Sequence, residues 1–301
     1  MNTLPPGLWR ASRWLRVYEW DWEKLPFPAV DPRSATARAQ SYPRHFFYHT
    51  LQVIAHSRDR DGSLVEYNEA LHRLLDRYRE PADLASVVEG DLGRQFGGAA
   101  VADVLLGLIS RGLLVSADIA EPVDTDAVAA AASSLYIAMQ VHDEFVRALN
   151  IVRDHAPKTV LEIGTAAGGT LFGWAQVARP DAHLISVDLP GGVGGGGYFE
   201  HHVPHFRNFC APGQRLDCIL GDSTSAETIG RVRSALDGAP VDFLFIDGDH
   251  SYEGAIAALA NYAALVREGG SIFFHDIHPP PPDAAQDMGF WRLWREGGYD
   301  H

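Results

Sequence analysis

The chain has 301 residues, enough for about two domains at the usual one to two hundred residues each and far too many for a single stapled module. Hydrophobic residues make up 46% and charged residues 21%, a globular balance that excludes disorder throughout. With 25 basic against 39 acidic residues, a net charge of −14, the chain lacks the basic footprint that nucleic-acid backbones and anionic membrane surfaces demand, so neither is an expected partner.

The N-terminal stretch MNTLPPGLWRASRWLRVYEW has no apolar core of a signal peptide, and no run of about eighteen apolar residues occurs anywhere. Cys210 and Cys218 have neither zinc-ligand spacing nor the company of a disulfide framework, which predicts free thiols and a cytoplasmic setting. Residues 1–44 form a tryptophan- and proline-rich arm holding Trp9, Trp14, Trp20 and Trp22. Those rings either bury against the protein's own second domain or form a ligand or partner surface. From His45 the text changes. HFFYHTLQVIAHSRDRDGSLVEYN reads as two β-rich runs around an Asp61-Gly62 turn, a hairpin signal. EALHRLLDRYR, PADLASVVEGDLGRQF and AAVADVLLGLISRGLL then carry apolar residues at three-and-four spacing, the last ending in an Arg-Gly helix stop.

A hairpin with three helices closing on LISRGLLVSA resembles a winged-helix-like module, of the kind that recognises peptides in modified-peptide biosynthesis or dimerises some methyltransferases. Residues 80–126 are acidic overall and place few arginines on the last helix, which disfavours DNA binding. The expected α+β domain therefore spans 45–117 and serves dimerisation, predicting a homodimer, or docks a peptide or protein partner. Residues 118–134 read as a linker running into a helix, and 135–301 as the second domain. Its first segment, 135–155, is amphipathic, with Leu135, Met139, Phe145 and Leu149 among its apolar positions.

From Thr159 the chain alternates apolar runs (TVLEIG, HLISVDL, DCILGD, VDFLFIDGD, SIFFHD) with helix-like stretches. That alternation predicts an α/β fold with a Rossmann-like, doubly wound, mostly parallel sheet whose ligand site lies beyond the C-terminal strand ends. The first strand ends in Glu162-Ile163-Gly164-Thr165-Ala166-Ala167-Gly168-Gly169, where glycines let backbone approach a ligand before a helix begins, or simply pack helix on strand. It is not the G-x-G-x-x-G of dinucleotide enzymes. Asp188 ends the second strand, placed to accept ribose hydroxyls, and Asp222 ends the third.

VLEIGTAAGGT, SVDLPGG, ILGDS, VDFLFIDGDHSYEGA and LVREGGSIFFHDI together resemble class I S-adenosylmethionine-dependent methyltransferases, nearest the branch of cephalosporin-hydroxylase-like proteins and metal-dependent sugar or macrolide O-methyltransferases. The resemblance covers about residues 140–296. It implies that Glu162, Gly164, Thr165 and Gly168 line the methionine part of S-adenosylmethionine, that Asp188 binds ribose, that Asp222 and Ser223 border adenine, and that Asp247 also faces the cofactor. It also implies transfer of a methyl group to a small-molecule hydroxyl, on a sugar or natural product.

Adjacent parallel strands would bring Asp247 and Asp276 together to hold one divalent cation, Mg²⁺ or another, with His275 beside them. His250 is then the expected general base. Where metal-dependent relatives often carry an acid just before the second ligand, this chain has His275, which puts the metal in question or points to a softer ion such as Mn²⁺ or Zn²⁺. The alternatives are that Asp247 and Asp276 cap helices or bond loops, and that His250 is a structural residue paired with a tyrosine. The run GGVGGGGYFEHHVPHF at 191–206 is a mobile lid or an ordinary loop, and its His201, His202 and His205 either gather a metal or stand unliganded. The resemblance calls for two more strands after the fifth. The sequence after Phe274 offers prolines 279–282 and one helix with Trp291 and Trp294, so the arm or a second subunit is expected to cover the sheet edge. Two other functions fit the residues: a metal-dependent hydrolase using Asp247, Asp249, His250, His275 and Asp276, and a non-catalytic binding protein that recruits a peptide or partner through 45–117.

Overall fold

A computed structural model describes residues 3–12, 15–19, 45–49, 65–66, 69–119, 121–192, 197–211, 213–277 and 289–297. The chain divides into two compact units, Met1–Asp124 and Thr125–His301.

In the first unit, β1 (Leu8–Ala11) lies between β5 (Ala82–Asp83) and β6 (Leu114–Ser116), antiparallel to both. A second antiparallel sheet joins β2 (Leu15–Glu19), β3 (His45–His49) and β4 (Val65–Glu66). The two runs of the expected hairpin thus pair, Phe47 opposite Val65, while its Asp61-Gly62 turn lies outside the described residues. The arm supplies two of these strands, and Trp9 packs against the unit's core; Trp14, Trp20 and Trp22 lie outside the described residues. The helices are α1 (Glu69–Arg77), α2 (Leu84–Glu89), α3 (Asp91–Phe96) and α4 (Gly98–Ser110). Asp83 caps α2 by accepting from the Ser86 N–H. Gly112, at φ +69°, follows the end of α4, the left-handed conformation that the Arg-Gly stop requires. Leu74, Leu84, Leu105, Leu108 and Leu113 fill the core between these elements.

The second unit opens with α5 (Thr125–Tyr136) and α6 (His142–His155). Most of the expected linker is therefore helix. Alanines lose no side-chain entropy on helix formation, and Val128, Ala129, Ala131 and Ala132 are wholly buried. Five strands follow, β7 (Thr159–Ile163), β8 (His183–Asp188), β9 (Arg215–Leu220), β10 (Val241–Ile246) and β11 (Val266–Phe274). Their order is β11-β10-β7-β8-β9, every pair parallel. Between them run α7 (Gly169–Val177), α8 (Val203–Arg207), α9 (Ala226–Leu236) and α10 (Tyr252–Tyr262). This is the Rossmann-like sheet. Chain order reverses between β7 and β10, so the crevice at their C-terminal ends is where a ligand belongs.

Leu161, Ile185, Leu244 and Ile246 are among the strand residues of one core, packed with Val232, Ala255, Tyr262 and Phe290. Trp174 of α7 sets its ring edge-on to Phe145 and Phe243, at 5.3 and 4.9 Å. Phe290 belongs to α11 (Gly289–Gly297), the helix that carries Trp291 and Trp294. It is tied to α10 by a hydrogen bond from Tyr252 to Glu296 of 2.8 Å and by Arg292 over the Tyr252 ring. Among the described residues β9 and β11 are the sheet edges.

Candidate active site

The turn after β7 is built from the inside outward. Glu162 is 0% exposed. Its Oε2 accepts from the Thr165 hydroxyl at 2.7 Å and its Oε1 from the Trp174 indole at 2.9 Å. Burial pushes the carboxyl up to about 8, against the pull of the Thr165, Thr170 and Trp174 hydrogen bonds. Thr165 also bonds Ser186 at 2.7 Å, and the Tyr198 hydroxyl donates to the Ser186 carbonyl at 3.2 Å. Glu162 therefore lies beneath the turn and fixes its underside.

The upper side is held by Asp188. Its Oδ2 accepts from the backbone N–H groups of Thr165 and Ala166, at 2.8 and 2.6 Å, and its Oδ1 from that of Leu189 at 2.8 Å. Burial raises its carboxyl even so, while the three amides pull downward. Gly164 adopts φ +88°, and a Cβ there would run into the Asp247 carbonyl. That clearance lets the Asp247 N–H reach the Ile163 carbonyl at 2.8 Å. Gly168, at φ +90°, lies under the Phe206 ring. On the next strand end, Asp222 accepts the Thr224 N–H and hydroxyl, both at 2.7 Å, and the Ser223 carbonyl accepts from Tyr262 at 2.7 Å.

Across the switch point, Asp247 follows β10, and His275 and Asp276 follow β11. The Asp247 Oδ1 stands 3.3 Å from His250 Nε2 and 3.2 Å from His275 Nδ1. Asp276 offers Oδ2 to His250 at 3.2 Å and Oδ1 to His275 at 3.3 Å. Donor atoms of all four residues lie within 4.8 Å of one another. Asp276 holds φ +54°, a left-handed conformation that costs a non-glycine residue energy and here turns its carboxylate into the group. The two carboxylates raise His250 to about 9; they raise His275 to about 10 against a large opposing effect of burial. The two imidazoles in turn hold the Asp276 carboxyl well below its usual range.

Of the structural alternatives, the bonds between loops are present, since the four side chains pair across the two strand ends. Ser251, not Asp247, caps α10, and His250 packs edge-on against Phe290 at 5.3 Å, not against a tyrosine. Asp249 accepts the Ser251 N–H at 2.9 Å and lies outside the four-residue group. Among the described residues no other group of three or more metal-capable side chains forms. His202 accepts the Phe199 N–H at 2.9 Å, and His205 packs on Phe209 and is lowered to about 4 by burial. Residues 193–196 of the glycine-rich run lie outside the described residues. Cys210 and Cys218 form no disulfide.

Gln140 escaped the sequence reading. Its Nε2 faces the Asp247 Oδ2 at 3.5 Å. The signal was a single amide inside the apolar run IAMQV.

Residues 161–277 match the family model described as a methyltransferase domain. That segment lies within the second unit and is similar to a methyltransferase domain. Solved structures with some likeness to the chain include the MycE methyltransferase of the mycinamycin biosynthetic pathway, in complex with Mg and SAH. It is 19% identical at a TM-score of 0.42, over 69% of this chain and 46% of that one. The O-methyltransferase TomG from Streptomyces achromogenes, involved in tomaymycin synthesis and in complex with SAM, is 18% identical at 0.42, over 61% and 82%. Cofactor-bound Rv0187 from MTB is 20% identical at 0.42, over 65% and 84%. The chain spans about half the length of the MycE chain. Residues 161–277 include both the clamped turn and the Asp/His group. No helix among the described residues is long and apolar enough to cross a membrane.

Proposed function

We propose that this chain is an S-adenosylmethionine-dependent O-methyltransferase acting on a small-molecule hydroxyl, of a sugar or natural product, with help from a divalent cation. The observation that carries the reading is the juxtaposition at one crevice of a glycine turn clamped to Asp188 and the Asp247, His250, His275, Asp276 group.

On this reading the cofactor lies over Gly164, Thr165 and Gly168, with Asp222 and Ser223 at its adenine end and Asp247 beside it. The Asp188 Oδ1, engaged by one amide only among the bonds named above, has a lone pair for a ribose hydroxyl. Glu162, wholly enclosed, acts from below by holding Thr165. The donor set fits a cation: Asp247 and Asp276 bring two negative charges and His275 a neutral ring nitrogen. When bound, S-adenosylmethionine supplies the methyl group and a divalent cation supplies Lewis-acid polarisation of the acceptor hydroxyl. Asp247 and Asp276 would hold that cation, and with their charge so engaged they would no longer raise His250; its neutral Nε2 would then take the proton that the attacking oxygen loses as its bond to the methyl carbon forms and the sulfur–carbon bond breaks. His250 is 50% exposed at its side chain, open to an arriving acceptor.

The test is calorimetric titration of S-adenosylmethionine into the full-length protein, with Asp188→Ala alongside. Micromolar binding that Asp188→Ala weakens at least about tenfold is the expected result. No heat from either protein would overturn it, and would favour the hydrolase or the partner-recruiting reading.

A further inference from the structure

The metal-capable group differs from an all-oxygen site in its donor atoms, and that difference has a chemical consequence. Mg²⁺ takes hard oxygen donors in a near-octahedral shell and keeps much of its water. Imidazole nitrogen suits ions of the borderline series, from Mn²⁺ to Zn²⁺. Here two of the four side chains are histidines, and each nitrogen faces both carboxylates at 3.2–3.3 Å. The four spacings are those of ion pairs, and they gather two ring nitrogens and two carboxylates into one group. Two carboxylates and neutral imidazole also balance a doubly charged ion without surplus charge.

We propose that Asp247, His275 through Nδ1, and Asp276 form a site selective for a borderline transition ion of the zinc type over Mg²⁺. This rests on the reading of the group as the cation site of the proposed reaction. His275, 24% exposed against 50% for His250, is the inner nitrogen ligand. His250 stays on the solvent side, where the acceptor enters and where a base is needed.

The experiment uses chelator-stripped full-length protein. Co²⁺ is titrated with visible absorption as readout, and Zn²⁺ and Mg²⁺ affinities are measured by calorimetry for the wild type, His275→Asp, His275→Ala and His250→Ala. Circular dichroism checks that each variant is folded. The wild type is expected to give the intense spectrum of four-coordinate Co²⁺ and to bind Zn²⁺ at least about 100-fold tighter than Mg²⁺. His275→Asp should cut that ratio by about tenfold or more, His275→Ala should lose the intense spectrum, and His250→Ala should leave the ratio within about threefold. An unchanged ratio in His275→Asp, or no ion bound by the wild type, overturns the proposal. S-adenosylmethionine titrations on the same samples separate the two readings. Zinc bound without cofactor removes the methyltransferase reading and keeps the ion assignment; cofactor bound without any ion does the reverse.

Discussion

Glu162 is a carboxylate with no exposed surface, raised to about 8 by burial. A group that binds its proton more tightly folded than unfolded stabilises the fold fully below its unfolded value and loses that contribution as pH rises through the folded one. For Glu162 the window runs from its ordinary 4.5 to about 8. Glu162→Gln keeps an acceptor for the Trp174 indole and offers an N–H to Thr165, which turns its own hydroxyl. Urea unfolding from about pH 5 to about pH 9 should show the wild type losing on the order of a few kcal/mol relative to this variant. Parallel pH profiles for the two proteins would show that burial does not perturb this acid. Gly164 and Gly230 make a second comparison. A methyl at Gly164 meets the Asp247 backbone at positive φ, whereas at Gly230 nothing lies within 4 Å. Gly164→Ala should cost about 2–4 kcal/mol in chemical denaturation and displace Asp247, while Gly230→Ala, inside α9, should gain about 0.5–1 kcal/mol. Equal effects at both positions would refute the close-approach argument.

At the scale of elements, α7 is locked to the sheet by one polar contact inside an apolar cluster, the Trp174 indole on Glu162. Trp174→Phe keeps most of the ring packing against Phe145 and Phe243 and strands one carboxylate oxygen. The expected loss is about 2–3 kcal/mol in denaturant unfolding, and it should shrink when Glu162→Gln is already present, because the unpaired acceptor is then neutral. Strict additivity of the two substitutions would sever that link. The five strands were legible in the sequence because each is a short apolar run ending in Gly or Asp, and the site acids follow from the strand ends. Less legible was what holds the site. Asp188 reads as a ribose ligand, yet its carboxylate also binds the amides of Thr165 and Ala166, contacts between strand ends that no spacing encodes. Ala82–Asp83 and Val65–Glu66 are too short to show alternation. The linker expected over 118–134 runs into a helix that begins at Thr125, earlier than the run AVAAAASS shows, because alanine carries no hydrophobic period to mark the face that Val128, Ala129, Ala131 and Ala132 bury.

At the scale of the whole molecule, two of the cores that the described residues form share no member. Leu74, Leu105 and Leu113 belong to one, and Leu161, Ile185 and Leu244 to the other. A core is the unit of cooperative unfolding, so Met1–Asp124 and Thr125–His301 are expected to melt as separate transitions. Leu105, wholly buried, tests this. Leu105→Ala should lower the first unit's transition by about 2–5 kcal/mol and leave S-adenosylmethionine affinity and the second transition where they were. Conversely, a ligand that binds only the folded second unit stabilises it by about 2.7 kcal/mol at one hundred times its dissociation constant, and should leave the first transition unmoved. Differential scanning calorimetry of the wild type and Leu105→Ala, each with and without S-adenosylmethionine, reads all four shifts. If ligand and core substitution move one common transition, the two cores unfold as a single block, and a change in the N-terminal unit would then reach the active site through stability alone.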